Sequence, residues 1–479
     1  MKKIFLIVIA LLTNVSLIFS QYADEALRYS YVFQGGTARS SAMGTSFNGL
    51  GGDAGCLYFN PAGIGVYRTS ELAITPNFNF GSSNSSFLNT SSSDFNIGAD
   101  FNNYSAIMSL NIADNNINFG FAYTNLNNFD NNIAFGGQNF ESSMTDYFAS
   151  RGNGTYYEQL DRYYSGLAWD SYLINNTDST ATNFVTAFNS YGIMQKQKIL
   201  RSGRQGEYSF TLGGSIDRKI YLGATIGVQS ISYTETKQFT ETDADNLVDD
   251  FNYFEFEEKF SVRGSGVNFK VGFLANPIEW MRIGAAIHTP TFYSIDETYS
   301  TYLYSEFDTV NYEYYSPQGS FKYQLNTPFR VNASAGFIIG NFASVNFDYE
   351  YLNYAFAKLR SDYDDMSIDN DDIKNNYNHG HNLRLGLEFI VTDFMALRAG
   401  VAYYGSPYKN AVLDNNFTIA YSGGVGFKMG KNWFIDLSYT YLNYADDLYY
   451  AYNGYGVTSP LASIETNNNK LKVSVGFKF

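Results

Sequence analysis

KLKVSVGFKF, residues 470–479, decides the fold. Leu471, Val473, Val475, Phe477 and Phe479 fall on one face of an extended chain, and Lys470, Lys472, Ser474, Gly476 and Lys478 on the other. Successive side chains of a strand point to opposite sides, so one face asks for lipid and the other for water. The same period of two recurs in NWFIDLSYTYL (432–442), where Trp433, Ile435, Leu437, Tyr439 and Tyr441 oppose Asp436, Ser438 and Thr440. It recurs in HNLRLGLEF (381–389), with Leu383, Leu385, Leu387 and Phe389 opposing Arg384 and Glu388. Alternation that ends in a terminal aromatic residue is the pattern of a β-barrel in an outer membrane.

Working outward, segments near the 9–11 residues of a tilted spanning strand centre around residues 71, 104, 116, 207, 220, 260, 280, 320, 342, 381, 394, 416, 432 and 469, which makes 14. Short turns (ADNN at 113, DRK at 217, NPIE at 276, GN at 340, VTD at 391, GKN at 430) alternate with long polar stretches. Those stretches cover about 81–103, 126–206, 237–259, 303–319, 361–380, 407–415 and 446–468. Short periplasmic turns, long outer loops and an even strand count describe an all-β, 14-stranded antiparallel transmembrane barrel over 69–479, with both ends on the periplasmic side.

Composition agrees. The 479 residues are 18% aromatic and 16% charged, with 42 Tyr, 41 Phe and 42 Gly, a balance of strand formers that aromatic girdles would consume. MKKIFLIVIALLTNVSLIFSQ reads as a signal peptide, residues 1–20, cleaved after Ser20. Without it the chain carries 29 basic against 46 acidic side chains, a charge of -17, which excludes a nucleic-acid partner because phosphate binding needs a basic face. The single Cys56 can form no internal disulfide and reads as a small buried residue.

Two regions break the strand pattern. In 126–206, SSMTDYFASRG and YYEQLDRYYSGLAWDSYL space their apolar residues like helices, and short helices over the outer mouth are expected. Residues 21–68 are Gly-rich and end in CLYFNPAGIGVYR. There Pro61 removes a donor and fixes φ, Asn60 tolerates turn conformations and Gly63 permits a positive φ. A compact segment with Phe33, Phe47, Leu57, Tyr58 and Phe59 to cover fits inside the barrel as a plug.

ALRYSYVFQGGTARSSAMGTSFNGLGGDAGCLYFNPAGIGVYRTSEL (26–72) resembles the hatch of FadL-type outer-membrane transporters, the OMPP1/TodX family, in its Bacteroidetes-like form. RGSGVNFKVGFLANPIEWMRIGAAIHTPT (263–291), NTPFRVNASAGF (326–337) and LRAGVAYYGSPY (397–408) are similar to its barrel strands. The resemblance implies a monomer without cofactor, inserted by the barrel-assembly machinery through the strand ending in Phe479. It implies passive transport of a hydrophobic small molecule, such as a long-chain fatty acid, between lipopolysaccharide and outer-membrane lipid. Asn60, Pro61, Ala62 and Gly63 then hold the hatch. A groove catches the ligand, and a kink in the third strand releases it sideways, with Gly120 in NINFGFAYTN as the expected irregularity. Phe148, Tyr156, Tyr157 and Trp169 are expected to line the groove. Strand parity turns Arg384 inward, where its guanidinium could meet a carboxylate headgroup or only brace against Asp348, Glu350 or Glu388.

Other functions fit less well. With three His and no triad motif an enzyme is excluded. His379 and His381, two apart, could face one way and bind haem or a metal, but two ligands make a weak site. An open porin has no use for a 50-residue hatch, and a 22-stranded TonB-dependent receptor does not fit the length. Aromatic hydrocarbons remain an alternative cargo.

Overall fold

A computed structural model describes residues 21–33, 35–177, 182–188, 190–409 and 417–479. The signal peptide expected at 1–20 and residues 410–415 of one outer loop lie outside them. The chain closes a 14-strand antiparallel barrel. Its strands are β1 (Glu71–Phe87), β2 (Thr90–Ile112), β3 (Asn115–Asn128, resuming at Asn131–Asn139), β4 (Ile193–Ile216), β5 (Ile220–Thr242) and β6 (Phe251–Ile278). β7 (Met281–His288, then Phe292–Phe307) and β8 (Gly319–Asn326, then Arg330–Ile339) follow. The ring continues through β9 (Ala343–Asn353), β10 (His379–Thr392), β11 (Met395–Tyr404), β12 (Thr418–Met429) and β13 (Trp433–Asn443) to β14 (Leu461–Lys478). β14 pairs with β1 from Glu71–Lys478 to Ser86–Ser463, which seals the barrel.

Lipid-facing positions such as Leu72, Leu212, Phe269, Leu387 and Trp433 are 44–52% exposed, while inward positions such as Asn118, Thr225, Lys472 and Ser474 are fully buried. In hydrocarbon every backbone group must be satisfied within the protein, and the closed ladder does this. Four polar stretches expected to be loops are largely strand. β1 and β2 meet at a Leu88–Asn89 turn, and 237–259, 303–319 and 446–468 carry the ends of β5 to β7 and the start of β14. Their polar residues stand above the lipid, where a ladder needs no apolar face.

Residues 21–68 run through the lumen. Helix α1 (Gln21–Arg28) lies at the outer end, where Tyr377 Oη donates to Asp24 (3.1 Å). The chain then descends to Ser70, whose amide donates to Phe479 O at the inner end (3.0 Å). On the way it takes hydrogen bonds around the wall: Ala38 N to Ser474 Oγ (2.8 Å), Gly44 N to Ser422 Oγ (2.9 Å), Phe47 N to Asp348 Oδ2 (3.0 Å), and Thr225 Oγ1 to Leu57 O (3.0 Å).

Such close seating needs missing side chains. A Cβ on Gly386 would stand 2.6 Å from Met43 O, and one on Gly336 3.0 Å from Leu50. One on Gly120 would stand 2.6 Å from Ile64 and 2.8 Å from Leu57. Gly400 abuts Met43 and Gly44, Gly223 abuts Pro61, and Gly272 abuts Asn60. Gly213–Gly223, Gly223–Gly272 and Gly386–Gly400 are register partners, so these residues form a belt along the inner wall. We expect Gly386→Val to cost roughly 1–3 kcal/mol by overpacking. The readout is periplasmic protease cleavage around Gly51 and Gly52 in barrels that still resist detergent unfolding; unchanged protection would contradict this seating.

Candidate functional site

Asn60 is the knot's keystone. At 1% exposure its Oδ1 accepts from Ala62 N (3.2 Å), which caps the 3₁₀ turn Pro61–Val66, and its Nδ2 donates to Asn48 O (3.2 Å) and to Phe273 O of β6 (3.3 Å). One amide thus joins the segment to itself and to the wall. Pro61 opens the turn, where its absent N–H costs nothing. Ala62 packs on Tyr221 and Leu274. Gly63 does not take up the positive φ open to it; the left-handed residues of the segment are Gly36 (104°), Gly44 (65°), Thr45 (61°), Gly51 (65°) and Gly52 (71°). Gly63 is small because a Cβ there would lie 2.7 Å from Cys56 Cβ. Burial pushes the Cys56 thiol up, away from reactivity.

Several charged side chains inside the wall are paired. Arg39 of the N-terminal segment binds Glu388 (Nη2–Oε1 2.9 Å), which also takes Arg398 (2.6 Å), and Arg398 reaches Asp436 (2.6 Å). Burial raises the Asp53 carboxyl against the pull of Arg39 and of hydrogen bonds from Thr37 Oγ1 (2.7 Å) and Gly55 N (2.8 Å). Arg384 is 2% exposed and shares Glu350 with Arg330, at 3.4 and 3.2 Å. Its guanidinium lies 5.4 Å from the Phe59 ring and 5.6 Å from that of Tyr404. Lys270 pairs with Glu207, and His288 Nε2 meets Phe59 O at 3.0 Å. Parity places Glu207, Lys270 and Arg330 inward too; their partners needed the three-dimensional register.

The expected groove residues separate. Helices Met144–Gly152 and Ser165–Asp170 stand over the outer mouth. Tyr156, Tyr157 and Trp169 form one aromatic chain there, with centroids 4.7 and 5.8 Å apart, and Tyr156 is 41% exposed. Phe148 is fully buried against Phe256 (5.1 Å) and is cap core instead of groove lining, because its helix turns that face toward the strands. Arg384 belongs to the plugged lumen, so the five do not form one pocket.

The third strand departs from the plan at a different residue from the one expected. The ladder runs unbroken through Gly120, paired with Ile107 and Thr211, because that glycine only makes room for Leu57 and Ile64. The break lies further out. Pairing of β2 with β3 ends at Asn103–Thr124; β2 bulges at Asn102, and β3 shifts register between Asn125 and Asn127. Beyond it only side chains bridge the strands, such as Asn128 Nδ2 to Asp100 (3.1 Å) and Asn96 Nδ2 to Asp130 O (3.1 Å). From inside, Gly35 lies against Thr124 and Asn125, Gly36 O accepts from Asn102, and Leu126 packs on Val32, Tyr58 and Phe59. Outside, Phe95, Ile97 and Phe101 stand 54, 69 and 53% exposed. A separate apolar hollow of about 630 Å³, lined by Met108, Phe119, Leu212 and Phe269, faces lipid.

His379 and His381 do share a direction, but it is outward, and they stack on Tyr351 and Tyr349 with ring nitrogens 2.6 and 2.7 Å from the phenol oxygens. They belong to the aromatic girdle, not to a luminal haem pocket. Among the described residues no group of three or more His, Cys, Asp or Glu could hold a metal.

Residues 238–461 match the family described as Outer membrane protein transport protein (OMPP1/FadL/TodX). No curated protein sequence matches the chain. Among solved structures, a Pseudomonas aeruginosa FadL homologue is similar at 13% identity and TM-score 0.59, covering 94% of this chain and 100% of its own. The P. putida toluene transporter TodX is similar at 10% and 0.54 (92% and 98%), and the Ralstonia pickettii toluene transporter TbuX at 13% and 0.51 (92% and 98%). At such identities these likenesses speak for the fold, and those neighbours are transporters, not enzymes. Residues 238–461 are thus similar to the OMPP1/FadL/TodX family, and the closed barrel is of the kind that spans the Gram-negative outer membrane.

Proposed function

We propose that this protein passes hydrophobic small molecules, with long-chain fatty acids as the leading class, across the outer membrane without an energy source. The carrying observation is the interrupted β2–β3 ladder, bordered inside by Val32, Gly35 and Gly36 and outside by Phe95, Ile97 and Phe101. An apolar solute gains nothing from a water-filled pore, and a gap lipped by exposed aromatics offers it a way into the bilayer. Residues 21–68 act as the hatch, with Asn60, Pro61, Ala62 and Gly63 holding it shut, and release takes place at Asn125–Asp130 instead of Gly120. Tyr156, which is exposed, and the half-buried Tyr157 and Trp169 beside it are suited to first capture. Arg330 and Arg384 share Glu350, and their guanidinium groups can meet a carboxylate headgroup once the hatch shifts.

Uptake of radiolabelled oleate by Gram-negative cells lacking their own fatty-acid transporter tests the cargo. Saturable uptake above the empty-vector control is expected. No uptake from a correctly inserted barrel would overturn the fatty-acid reading, and toluene uptake in the same cells would then assign the aromatic class.

The gap itself is tested by a bridge. With Cys56→Ala as background, Gly35→Cys and Thr124→Cys place their thiols together, because a Gly35 Cβ lies 2.8 Å from Thr124 Cγ2. Oxidation is expected to reduce uptake at least tenfold and reduction to restore it; full uptake through the bridged protein would exclude this exit. Asn60→Ala removes the cap, worth about 1 kcal/mol, and is expected to raise amide exchange across residues 60–66; unchanged exchange would remove Asn60 as the clasp.

A further inference from the structure

Where the wall leaves the apolar belt, one arc sets several exposed cations side by side. Arg263 of β6, Asp296 of β7 and Lys322 of β8 are register neighbours, all facing outward. The short strand Lys358–Arg360 pairs with the next turn of β8, setting Arg360 opposite Gln324 and Lys358 opposite Asn326. All four cations are exposed. Lys322 meets Asp296 at 2.9 Å, and no ion pair engages Arg263, Lys358 or Arg360 among the described residues. In a chain of charge -15 this is an uncommon concentration of unmatched cations.

Directly below them the surface turns apolar. Val267 pairs with Phe292, which pairs with Asn326, and both Val267 (51%) and Phe292 (57%) are exposed. The Thr327–Phe329 interruption of β8 and the 3₁₀ turn Tyr354–Phe356 add Phe329 and Phe356, whose rings lie 6.3 Å apart with Phe356 60% exposed. An aromatic shelf with cations on its upper rim matches an amphiphile with acyl chains below and phosphates above.

We propose that Arg263, Lys322, Lys358 and Arg360 form a binding site for the phosphorylated glycolipid of the outer leaflet, with its acyl chains on Val267, Phe292, Phe329 and Phe356. Guanidinium forks pair with phosphate oxygens, and the lysines add point charge. Hydrocarbon beneath and sugar above hold the phosphates at that height, where attraction is weakly screened. The site rests on outer-membrane placement and not on the cargo, so a failed oleate assay leaves it standing.

The test is native mass spectrometry of the full-length barrel, purified from outer membranes in mild detergent and offered bisphosphorylated or dephosphorylated lipid A. At least tenfold stronger retention of the bisphosphorylated form is expected. A variant with Arg263→Gln, Lys322→Gln, Lys358→Gln and Arg360→Gln should lose the preference, and Lys196→Gln with Arg162→Gln, exposed residues elsewhere, should keep it. Equal retention of both lipids by the unaltered protein, which needs no variant to fold, would overturn the proposal. So would a preference that survives in the quadruple variant, or displacement of the lipid by millimolar inorganic phosphate, which would mark a site for free anions.

Discussion

A strand in hydrocarbon must give its amides to a neighbour on each side, since neither lipid nor water there can take them. Here that constraint is met around the circumference by register pairs running from β1 to β14 and back. It also makes departures from pairing informative. Between β2 and β3 the ladder stops at Asn103–Thr124 and side chains take over. At β7 and β8 the interruptions fall at Pro290 and Pro328, which lack a donor, and Thr291 N to Thr327 Oγ1 (2.9 Å) closes the wall. The Pro breaks are sutured; at the third-strand break side-chain bridges and, from inside, Val32, Gly35, Gly36 and Leu126 cover the opening.

The N-terminal segment and the wall are built for each other. Backbone meets backbone at Gly44 and Gly400, Gly49 and Gly336, and Gly65 and Gly214, which leaves no room for a water-filled path along those contacts. The hydrogen bonds that fix the segment come from short inward side chains, Ser422, Ser474, Thr225 and Asn118, many of them paying no buried charge. The ion pair that joins the segment to the wall, Arg39 with Glu388, sits at the inner end beside cavities of about 490 and 410 Å³. Movement of the segment would oblige Asp348 and Glu388, which hold Phe47 N and Arg39, to change partners.

The barrel was legible because its rule is local. Period two sorted Leu471 from Lys472 and Arg384 from Leu385 without knowledge of any partner, and short turns such as Asp217–Lys219 marked one rim. The plug's position followed from its small residues and from Phe47 and Phe59 needing cover. What stayed hidden was pairwise. A glycine such as Gly120 reads as an irregularity until Leu57 and Ile64 are seen across from it, and the real break, at Asn125–Asn127, carries no Gly or Pro to announce it. Polar stretches such as 81–103 read as loops because a strand above the lipid loses its apolar face but keeps its ladder. Phe148 looked like a ligand contact because an aromatic on a short helix carries no mark of which side will be buried.

The central claim is that residues 21–68 seal the lumen, so that whatever passes must move the segment or leave through the wall. Conductance of single purified barrels in a planar bilayer tests it most directly. A sealed lumen predicts no steady ohmic current from the intact protein and a steady current once residues 21–68 are deleted from barrels shown to insert. A steady open current from the intact protein would contradict the account.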